Sequence, residues 1–561
     1  MLHVIQNRPM RLPLRPALIA ALLFLQATCL SAQAAPKFEV VVPTSAHAEP
    51  ITGRAYVIIS RKQADDLRDL IGSWRQETPF FGTDVSALRP GAPAIIDVGT
   101  LGYPLASLKE IPAGDYYVQA LVNVYTEFHR ADGHTIWAHM DQWEGQHFNK
   151  SPGNLYSNVQ KVHLDPAAGY DVRLEANKVI PPVEVPPDTQ WVKHLKFESK
   201  LLSAFWGHPI YIGATVLLPK DYEQHPNVRY PVVYEQDHFG LRPPLFMQME
   251  PPAPGSKNEQ FRYSAFQAWS GDNFPRMIAV TLQHPTAFFD DSYAVNSANN
   301  GPYGDAIMQE LIPYIEEHFR IIREPWARVL MGGSTGGWES LALQLYHPEF
   351  FGGTFTGFPD PIDFRHYQLV NIYEDPNAFN VPGYEWVQRE RPLMRTAEGQ
   401  VVETMRQMSQ LEEVLGSHGR SCQQLEAWEA VYGPVGDDGY PKPLWDKRTG
   451  TIDRSVADYM RDHGYDLRYY IDKNWARIGP QITDKIFIWV GDMDNFYLNL
   501  AVYDMEEFFK SHPEARATFQ YGRPEKGHGW FPWQPGEFFK MMADHMATHA
   551  PAGTDVKSWH Y

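Results

Sequence analysis

The stretch Gly332-Gly333-Ser334-Thr335-Gly336 decides the fold prediction, because its G-x-S-x-G pattern stands between two different periodicities. The apolar residues 327–331 before it are typical of a buried strand, and residues 338–347 after it are typical of a helix. A sharp turn from strand to helix needs glycine at the flanking positions, where a side chain would collide with neighbouring backbone. The pattern therefore predicts that Ser334 projects from the turn, where another molecule can reach it.

A serine hydroxyl is a weak nucleophile until a base removes its proton, so this interpretation requires a carboxylate and a histidine later in the chain. The apolar run 485–490 predicts a strand buried on both faces of a parallel sheet, and Asp492 and Asp494 follow it. We favour Asp494 as the acid, and the sequence leaves Asp492 open. Phe496 and Tyr497 stand where a calcium loop needs a ligand and a glycine, so calcium is not expected here.

The candidate base is His528, in a short loop with glycine on both sides. The loop follows a strand-like segment, residues 518–521, and precedes a helical pattern over residues 537–549. A histidine in such a loop can reach a neighbouring strand end and has a pKa suited to moving protons near neutral pH. The sequence therefore contains a nucleophile, an acid and a base in the order that an α/β-hydrolase requires.

The motifs also resemble a family of α/β-hydrolases that includes esterase D, feruloyl and enterochelin esterases and the mycolyltransferases. The resemblance spans about residues 195 to 548 and rests on residues 230–234, 310–315, 332–337, 347–351, 491–496 and 527–528. It implies an α/β-hydrolase fold with Ser334, Asp494 and His528 as a catalytic triad. One departure is the sequence Asp237-His238-Phe239-Gly240, where many members of the family have His-Gly.

An oxyanion that forms during acyl transfer needs backbone N–H donors. We expect one donor from Thr335 at the start of the helix and a second from Phe239 or Gly240 in the loop after an early strand. This chemistry requires no metal ion and no organic cofactor.

Three further residues are predicted to line the substrate pocket. His238 lies on the loop after the early strand, and Trp530 and Trp533 lie close to the candidate base. Sugars or aromatic acyl groups could stack on the two tryptophans.

The N-terminus predicts a secretory signal peptide. Arg8, Arg11 and Arg15 precede the apolar residues 17–25, and small residues end near Ala34, where cleavage is expected. The apolar stretch is shorter than the roughly 20 residues of a membrane span, so no span is expected. The formal net charge of −18 makes nucleic acid an unfavourable partner. A periplasmic or secreted location follows.

A chain of 561 residues predicts more than one domain. Residues 35–179 are rich in strand signals and predict a β-sandwich-like domain, and the proline-rich residues 180–190 predict a linker. Residues 191–555 would form the α/β-hydrolase catalytic domain, with a mostly parallel central sheet. Within it, a helical insert is predicted at about residues 361–480.

The roles of the two added parts stay open at this stage. In the insert, apolar residues recur at helical spacing from Val401 and Val402 to Leu415, which predicts one helix. We expect the insert to cap the crevice at the strand ends and to set substrate choice. The N-terminal domain could bind substrate or only pack on the catalytic domain.

The sequence thus predicts a secreted serine carboxylic ester hydrolase that forms an acyl-enzyme, acting on a small-molecule or glycan ester. A carbohydrate ester or another polar ester is the expected substrate. An acyltransferase that uses the same acyl-serine is an alternative, because a sugar hydroxyl can release the acyl group where water is excluded. A serine peptidase is a weaker option, and a secreted binding protein on a hydrolase scaffold is a different class.

Overall fold

The computed structural model describes residues 35–72, 77–139, 143, 148–381, 383 and 389–561. The predicted signal peptide, residues 1–34, lies outside the described residues. Within the described ranges, no helix has the length and apolar composition that crossing a membrane would require.

The first part of the chain forms two β-sheets that pack face to face. Its strands are β1 (Lys37–Val41), β2 (Ile51–Ser60), β3 (Phe80–Leu88), β4 (Pro93–Asp97), β5 (Gly102–Tyr103), β6 (Gly114–His129), β7 (Thr135–His139), β8 (Leu155–Tyr156), β9 (Gln160–Leu164), β10 (Asp171–Glu175) and β11 (Lys178–Val179). The small sheet has the order β10-β1-β4, and the large sheet has the order β11-β8-β6-β2-β3-β5, with β7 and β9 also paired to β6. A core that includes Phe38, Val57 and Val118 lies between the sheets. This arrangement is the predicted β-sandwich-like fold.

The second part of the chain is built on one eight-stranded sheet. The remaining strands are β12 (Val192–Ser199), β13 (Ile210–Leu217), β14 (Val232–Gln236), β15 (Ile278–Gln283), β16 (Asn296–Ser297), β17 (Gly301–Pro302), β18 (Arg328–Gly333), β19 (Gly353–Gly357), β20 (Asn380–Val381), β21 (Arg389–Glu390), β22 (Pro392–Arg395), β23 (Val401–Thr404), β24 (Ile486–Gly491) and β25 (Thr518–Gly522). The central order is β12-β13-β15-β14-β18-β19-β24-β25. The pairs β12/β13 and β13/β15 are antiparallel, and every later pair is parallel.

Helices cover this sheet and fill its connections. They are α1 (Lys200–Trp206), α2 (Lys257–Trp269), α3 (Tyr303–Ala306), α4 (Ile312–His318), α5 (Thr335–Tyr346), α6 (Met405–Leu415), α7 (Gln424–Tyr432), α8 (Arg454–Asp462), α9 (Leu467–Ile478), α10 (Asn499–Lys510) and α11 (Pro535–His549). The strand order and the predominantly parallel pairing are those of an α/β-hydrolase. The predicted fold class is therefore confirmed, with its insertion between β19 and β24 and its β-rich N-terminal part.

The insert is not purely helical. It contains α6 to α9 together with the short hairpins β20/β21 and β22/β23. The prediction of one helix from Val401 onward is wrong at its start, because Val401 and Val402 lie in β23 and the helix begins at Met405. Thr404 caps that helix: its side chain accepts a hydrogen bond from the Gln407 N–H, and the Gln407 side chain accepts one from the Thr404 N–H. The cap, rather than the apolar spacing, sets the boundary.

The N-terminal sheet packs directly on the insert. The Arg54 guanidinium, on β2, donates to the Val414 carbonyl at 3.0 Å and to the Glu413 carbonyl at 3.2 Å. The Tyr56 hydroxyl donates to the Leu415 carbonyl at the end of α6. These contacts join the N-terminal part to the insert rather than to the central sheet.

The segment between the two parts is extended. Residues 181–190 are exposed and contain no helix or strand. Where the domains begin and end stays a prediction, with the proposed linker at residues 180–190.

Candidate active site

The turn around Ser334 has the geometry that its glycines predict. Ser334 lies between β18 and α5 with φ 58° and ψ −121°, a backbone conformation that is costly for a residue with a side chain. A Cβ on Gly332 would lie 2.1 Å from the Gly336 carbonyl oxygen, and a Cβ on Gly336 would lie 2.0 Å from the Gln236 carbonyl oxygen. Only glycine fits at these two positions, so the turn holds Ser334 at the carboxyl end of the sheet.

His528 and Asp494 form a hydrogen-bonded pair. The His528 Nδ1 lies 2.8 Å from Asp494 Oδ2, and the Asp494 side chain is fully buried. The other carboxylate oxygen, Oδ1, accepts the Phe496 N–H at 2.9 Å and the Leu498 N–H at 3.3 Å. The pairing holds His528 with its proton on Nδ1, which leaves Nε2 as an acceptor.

The electrostatic environment of His528 favours its charged form. Burial alone would lower the pKa of the imidazole, but the Asp494 and Asp360 carboxylates together outweigh that effect and the pKa lies above its ordinary value. The His528 ring also packs edge-on against Phe358 and Phe496, with ring centroids 4.8 and 5.0 Å away. The imidazole is thus held between two aromatic rings and one carboxylate.

Asp492, the other acid that the sequence left open, lies in a different setting. It accepts a hydrogen bond from the Tyr503 hydroxyl at 3.0 Å and pairs with Arg523 at 2.9 Å. Its carboxylate is therefore engaged away from His528. The structure brings Asp494, and not Asp492, to the imidazole.

Ser334 faces a residue that the sequence analysis did not identify. Among the described residues, the Ser334 hydroxyl makes one hydrogen bond, a 3.4 Å bond to Asp360 Oδ1, and none to His528. Asp360 follows β19 and is only 3% exposed. Burial raises its pKa, against the hydrogen bonds that it accepts from neighbouring side chains. Its position just past the end of a parallel strand is the signal that could have revealed it.

The predicted oxyanion donors are only partly available. Thr335 is the first residue of α5, where a backbone N–H has no partner within the helix. The Phe239 N–H donates to the Asp290 carbonyl at 3.2 Å, so the prediction of Phe239 as a donor needs correction. Gly240 lies against a small neighbouring cavity instead of the one that contains Ser334.

Ser334 opens into an apolar cavity of about 390 Å³. His238 lines this cavity, whereas Trp530 and Trp533 do not. Trp533 packs behind the wall, with its ring 5.2 Å from the ring of Trp489, which lines the cavity together with Phe531. Trp530 lies against Gly522 at the end of β25. Further aromatic lining comes from Phe246, Phe261, Phe358, Phe538 and Phe539.

The roof of the cavity comes from α2, not from the insert. Phe261, Arg262 and Ala265 of that helix line the cavity, and no described residue of the predicted insert does. Phe261 is 43% exposed at the mouth, and its ring lies 6.2 Å from the Phe531 ring. The expectation that the insert caps the crevice is therefore not met by its described residues.

His238 belongs to a buried acidic cluster beside the cavity. Its Nδ1 lies 2.7 Å from Asp291 Oδ2 and 3.1 Å from Asp290 Oδ1. Burial lowers the pKa of His238, but the two carboxylates raise it well above the ordinary value. These three side chains have the spacing to hold a metal ion. The two short contacts of His238 join the loop after β14 to residues 290 and 291.

Comparison with known proteins identifies a family match and one relative in sequence. Residues 210–544 match the protein family described as "Putative esterase". The chain is 26% identical over 155 residues to an uncharacterized protein, YbbA, of Bacillus subtilis strain 168. That match covers 26% of this chain and 55% of the relative, so it spans about half of the relative's length.

Solved structures of similar fold include a ferulic acid esterase, at 16% identity and a TM-score of 0.36, covering 64% of this chain and 98% of that one. A fluorophosphonate-binding serine hydrolase of Staphylococcus aureus aligns at 13% identity and a TM-score of 0.33, covering 63% of this chain and 98% of the other.

The strand order and the predominantly parallel pairing of the central sheet define an α/β-hydrolase fold. The chain belongs to the esterase family that its residues 210–544 match. The predicted family is therefore confirmed, and its description as esterases agrees with the predicted class of enzyme, an ester hydrolase.

Proposed function

We propose that the protein hydrolyses carboxylic esters with Ser334 as nucleophile, His528 as general base and Asp494 as the acid that orients His528. The observation that carries this proposal is the 2.8 Å pair of His528 and Asp494, which lies next to the strained turn of Ser334. The Phe358 ring links the two: it contacts His528, and it lies 2.6 Å from where a Cβ on Gly333 would be.

In the proposed reaction, the Ser334 proton moves to His528 Nε2 while Oγ bonds to the ester carbonyl carbon. Asp494 stabilises the imidazolium, which then returns the proton to the leaving alcohol. Water repeats the sequence on the acyl-enzyme and releases the acid. The Ser334 hydroxyl must exchange its bond to Asp360 for one to His528, a change that sites without substrate commonly require.

The oxyanion would bind the Thr335 N–H and one donor from the loop after β14. The Phe239 N–H is engaged, the His238 N–H bonds to the Asp237 carboxylate, and Gly240 lies outside the cavity. We therefore propose that the Asp237 N–H supplies the second donor, since Asp237 lines the cavity with Ser334. Loss of one such donor typically lowers the rate about 10²- to 10³-fold.

The cavity supports an ester with an apolar acyl group. A volume of about 390 Å³ with aromatic walls fits an aromatic ring or a medium alkyl chain. The alcohol portion would lie toward His238 and Arg262 at the polar side of the cavity. A polar alcohol such as a sugar remains our proposal for that portion.

A labelling and turnover experiment tests the proposal. Purified wild type should bind a fluorophosphonate probe and hydrolyse p-nitrophenyl esters, with kcat/KM rising from acetate toward hexanoate as the cavity fills. Ser334→Ala should abolish both signals. Ser264→Ala is the matched control, because this serine of the roof helix bonds only to the Phe261 carbonyl among the described residues and should leave both signals intact.

Other results of this experiment would reject the proposed nucleophile or favour a different function. Turnover by Ser334→Ala would reject Ser334 as the nucleophile, and an unlabelled wild type would favour a binding protein. Ester products formed with an added alcohol, in place of free acid, would identify an acyltransferase.

We also propose that the enzyme is exported. The support is the sequence of residues 1–34, with its arginines, apolar stretch and small residues before the expected cleavage near Ala34. Sequencing the N-terminus of the protein recovered from periplasm and medium tests this. An uncut N-terminus in the cytoplasmic fraction alone would contradict it.

A further inference from the structure

The two carboxylate oxygens of Asp360 accept hydrogen bonds from different groups. Its Oδ1 accepts the hydrogen bond from the Ser334 hydroxyl at 3.4 Å. Its Oδ2 accepts four side-chain hydrogen bonds, from Tyr293 Oη at 2.7 Å, Thr335 Oγ1 at 3.0 Å, Gln424 Nε2 at 3.0 Å and Trp428 Nε1 at 3.3 Å. Four donors on one oxygen fix the orientation of the carboxylate, and the bonds from Tyr293 and Thr335 oppose the burial that raises its pKa.

We propose that Asp360 is a second functional carboxylate of this site, which holds the Ser334 hydroxyl before reaction and stabilises the His528 imidazolium during it. This inference rests on the proposed function, in which Ser334 and His528 react. During attack the proton passes from Ser334 Oγ to His528 Nε2, and Oγ bonds to the acyl carbon. Asp360 keeps its charge throughout and takes no proton.

The charges around His528 agree with this role. Burial lowers the pKa of His528, the Asp494 carboxylate raises it, and Asp360 adds a smaller effect in the same direction. Asp360 in turn is faced by His528 and His238, which both lower its pKa against the effect of burial. On the hairpin packed against the acid loop, Arg395 donates to the Asp494 backbone carbonyl at 2.9 Å. Asp360 is thus one of two carboxylates that stabilise the same cation.

The insert supplies half of the hydrogen bonds that hold Asp360. Gln424 and Trp428 both belong to α7, whose first N–H groups, those of Leu425 and Glu426, donate to the Glu412 side chain of α6 at 2.9 and 3.2 Å. The contacts of the N-terminal sheet with the end of α6 brace this pair of helices. Through these hydrogen bonds to Asp360, the described residues of the insert influence Ser334 and His528 without lining the cavity.

The test is the pH dependence of kcat/KM for Asp360→Asn. This substitution keeps the shape of the side chain and removes its charge, so the acid limb should move to lower pH by about 0.5 to 1 unit. Asp363→Asn is the matched control, because that buried carboxylate bonds to Arg365 on the same loop, away from Ser334. It should leave the acid limb where the wild type has it.

A second variant, Tyr293→Phe, tests the same role of Asp360 if Asp360→Asn does not fold. Tyr293→Phe removes the shortest donor to Oδ2, which raises the pKa of Asp360 and lets it neutralise nearer the working pH. The acid limb should then move in the same direction by a smaller amount.

Fluorophosphonate labelling separates the two levels of the proposal. If the wild type and both variants resist the probe, the proposed function itself fails. If all are labelled but the acid limbs of the folded variants overlie the wild-type curve, the role of Asp360 is overturned.

Discussion

Asp494→Asn is the substitution that probes the proposed site most directly. The change keeps the size of the side chain, and the two backbone N–H groups on Oδ1 will hold the amide oxygen there. The amide nitrogen then takes the place of Oδ2, opposite His528 Nδ1. Two N–H groups cannot bond to each other, so the imidazole must carry its proton on Nε2, the nitrogen that should accept the Ser334 proton.

The expected loss is large. Enforcing the wrong tautomer in a Ser-His-Asp triad lowers kcat about 10⁴-fold, equivalent to about 5 kcal/mol of activation free energy. The Asp494 side chain is fully buried and lies 2.8 Å from Nδ1, so solvent cannot replace the lost charge. We therefore expect kcat of the variant to fall by about 10³- to 10⁴-fold.

The assay is turnover of p-nitrophenyl acetate, with circular dichroism to establish that the variant is folded. Asp492→Asn is the matched control, because Asp492 pairs with the largely exposed Arg523. A surface ion pair contributes little, so that variant should keep kcat within about twofold. The reasoning is refuted if folded Asp494→Asn retains more than about a tenth of the wild-type kcat, or if Asp492→Asn loses as much.

Three further predictions concern pH and stability. For the wild type, kcat/KM should rise with pH through the pKa of His528, which burial lowers but the Asp494 and Asp360 carboxylates together raise more; an acid limb centred below pH 6.5, the ordinary value, would contradict this. Gly336→Ala should lower the free energy of unfolding by about 1–3 kcal/mol or more, measured by urea titration, because the new Cβ would lie 2.0 Å from the Gln236 carbonyl. Arg54→Ala should cost about 1–3 kcal/mol of unfolding free energy by leaving buried carbonyls without a donor, while Arg61→Ala, at a partly exposed contact with Tyr116, should cost less.

The sequence could predict the parts of this protein that depend on strand ends. Ser334, Asp494 and His528 each follow an apolar or β-branched run, and parallel strands bring their carboxyl ends to one edge. That rule was sufficient to anticipate the 2.8 Å pair of His528 and Asp494 from residues 34 positions apart. It could not separate Asp494 from Asp492, because the choice depends on where Arg523 and Tyr503 lie in the fold.

Other features of the fold and the site could not be predicted from the sequence, for physical reasons. β19 reads Gly-Thr-Phe-Thr-Gly, too polar and glycine-rich to predict as a buried strand, so Asp360 at its end looked like a loop residue. Phe531 lines the cavity, but the sequence does not distinguish it from Trp530 and Trp533, because aromatic residues in one loop share no periodicity that tells inside from outside. The roof helix α2 has no strong apolar face, since among its residues only Ala265 and Trp269 are buried.

The positions of the roof and the insert separate two properties of the site. Phe261 and Phe531 line the cavity, whereas Gln424 and Trp428 bond to Asp360 and do not line it. Substitutions of the two phenylalanines should therefore change KM along a series of esters and leave the acid limb in place. Substitution of Gln424 should move the acid limb and leave the order of substrates unchanged, because that side chain contributes nothing to the walls. If one variant changed both the order of substrates and the acid limb, the cavity and the hydrogen bonds around Asp360 would be coupled. The described insert would then affect substrate choice as well as the pKa of His528.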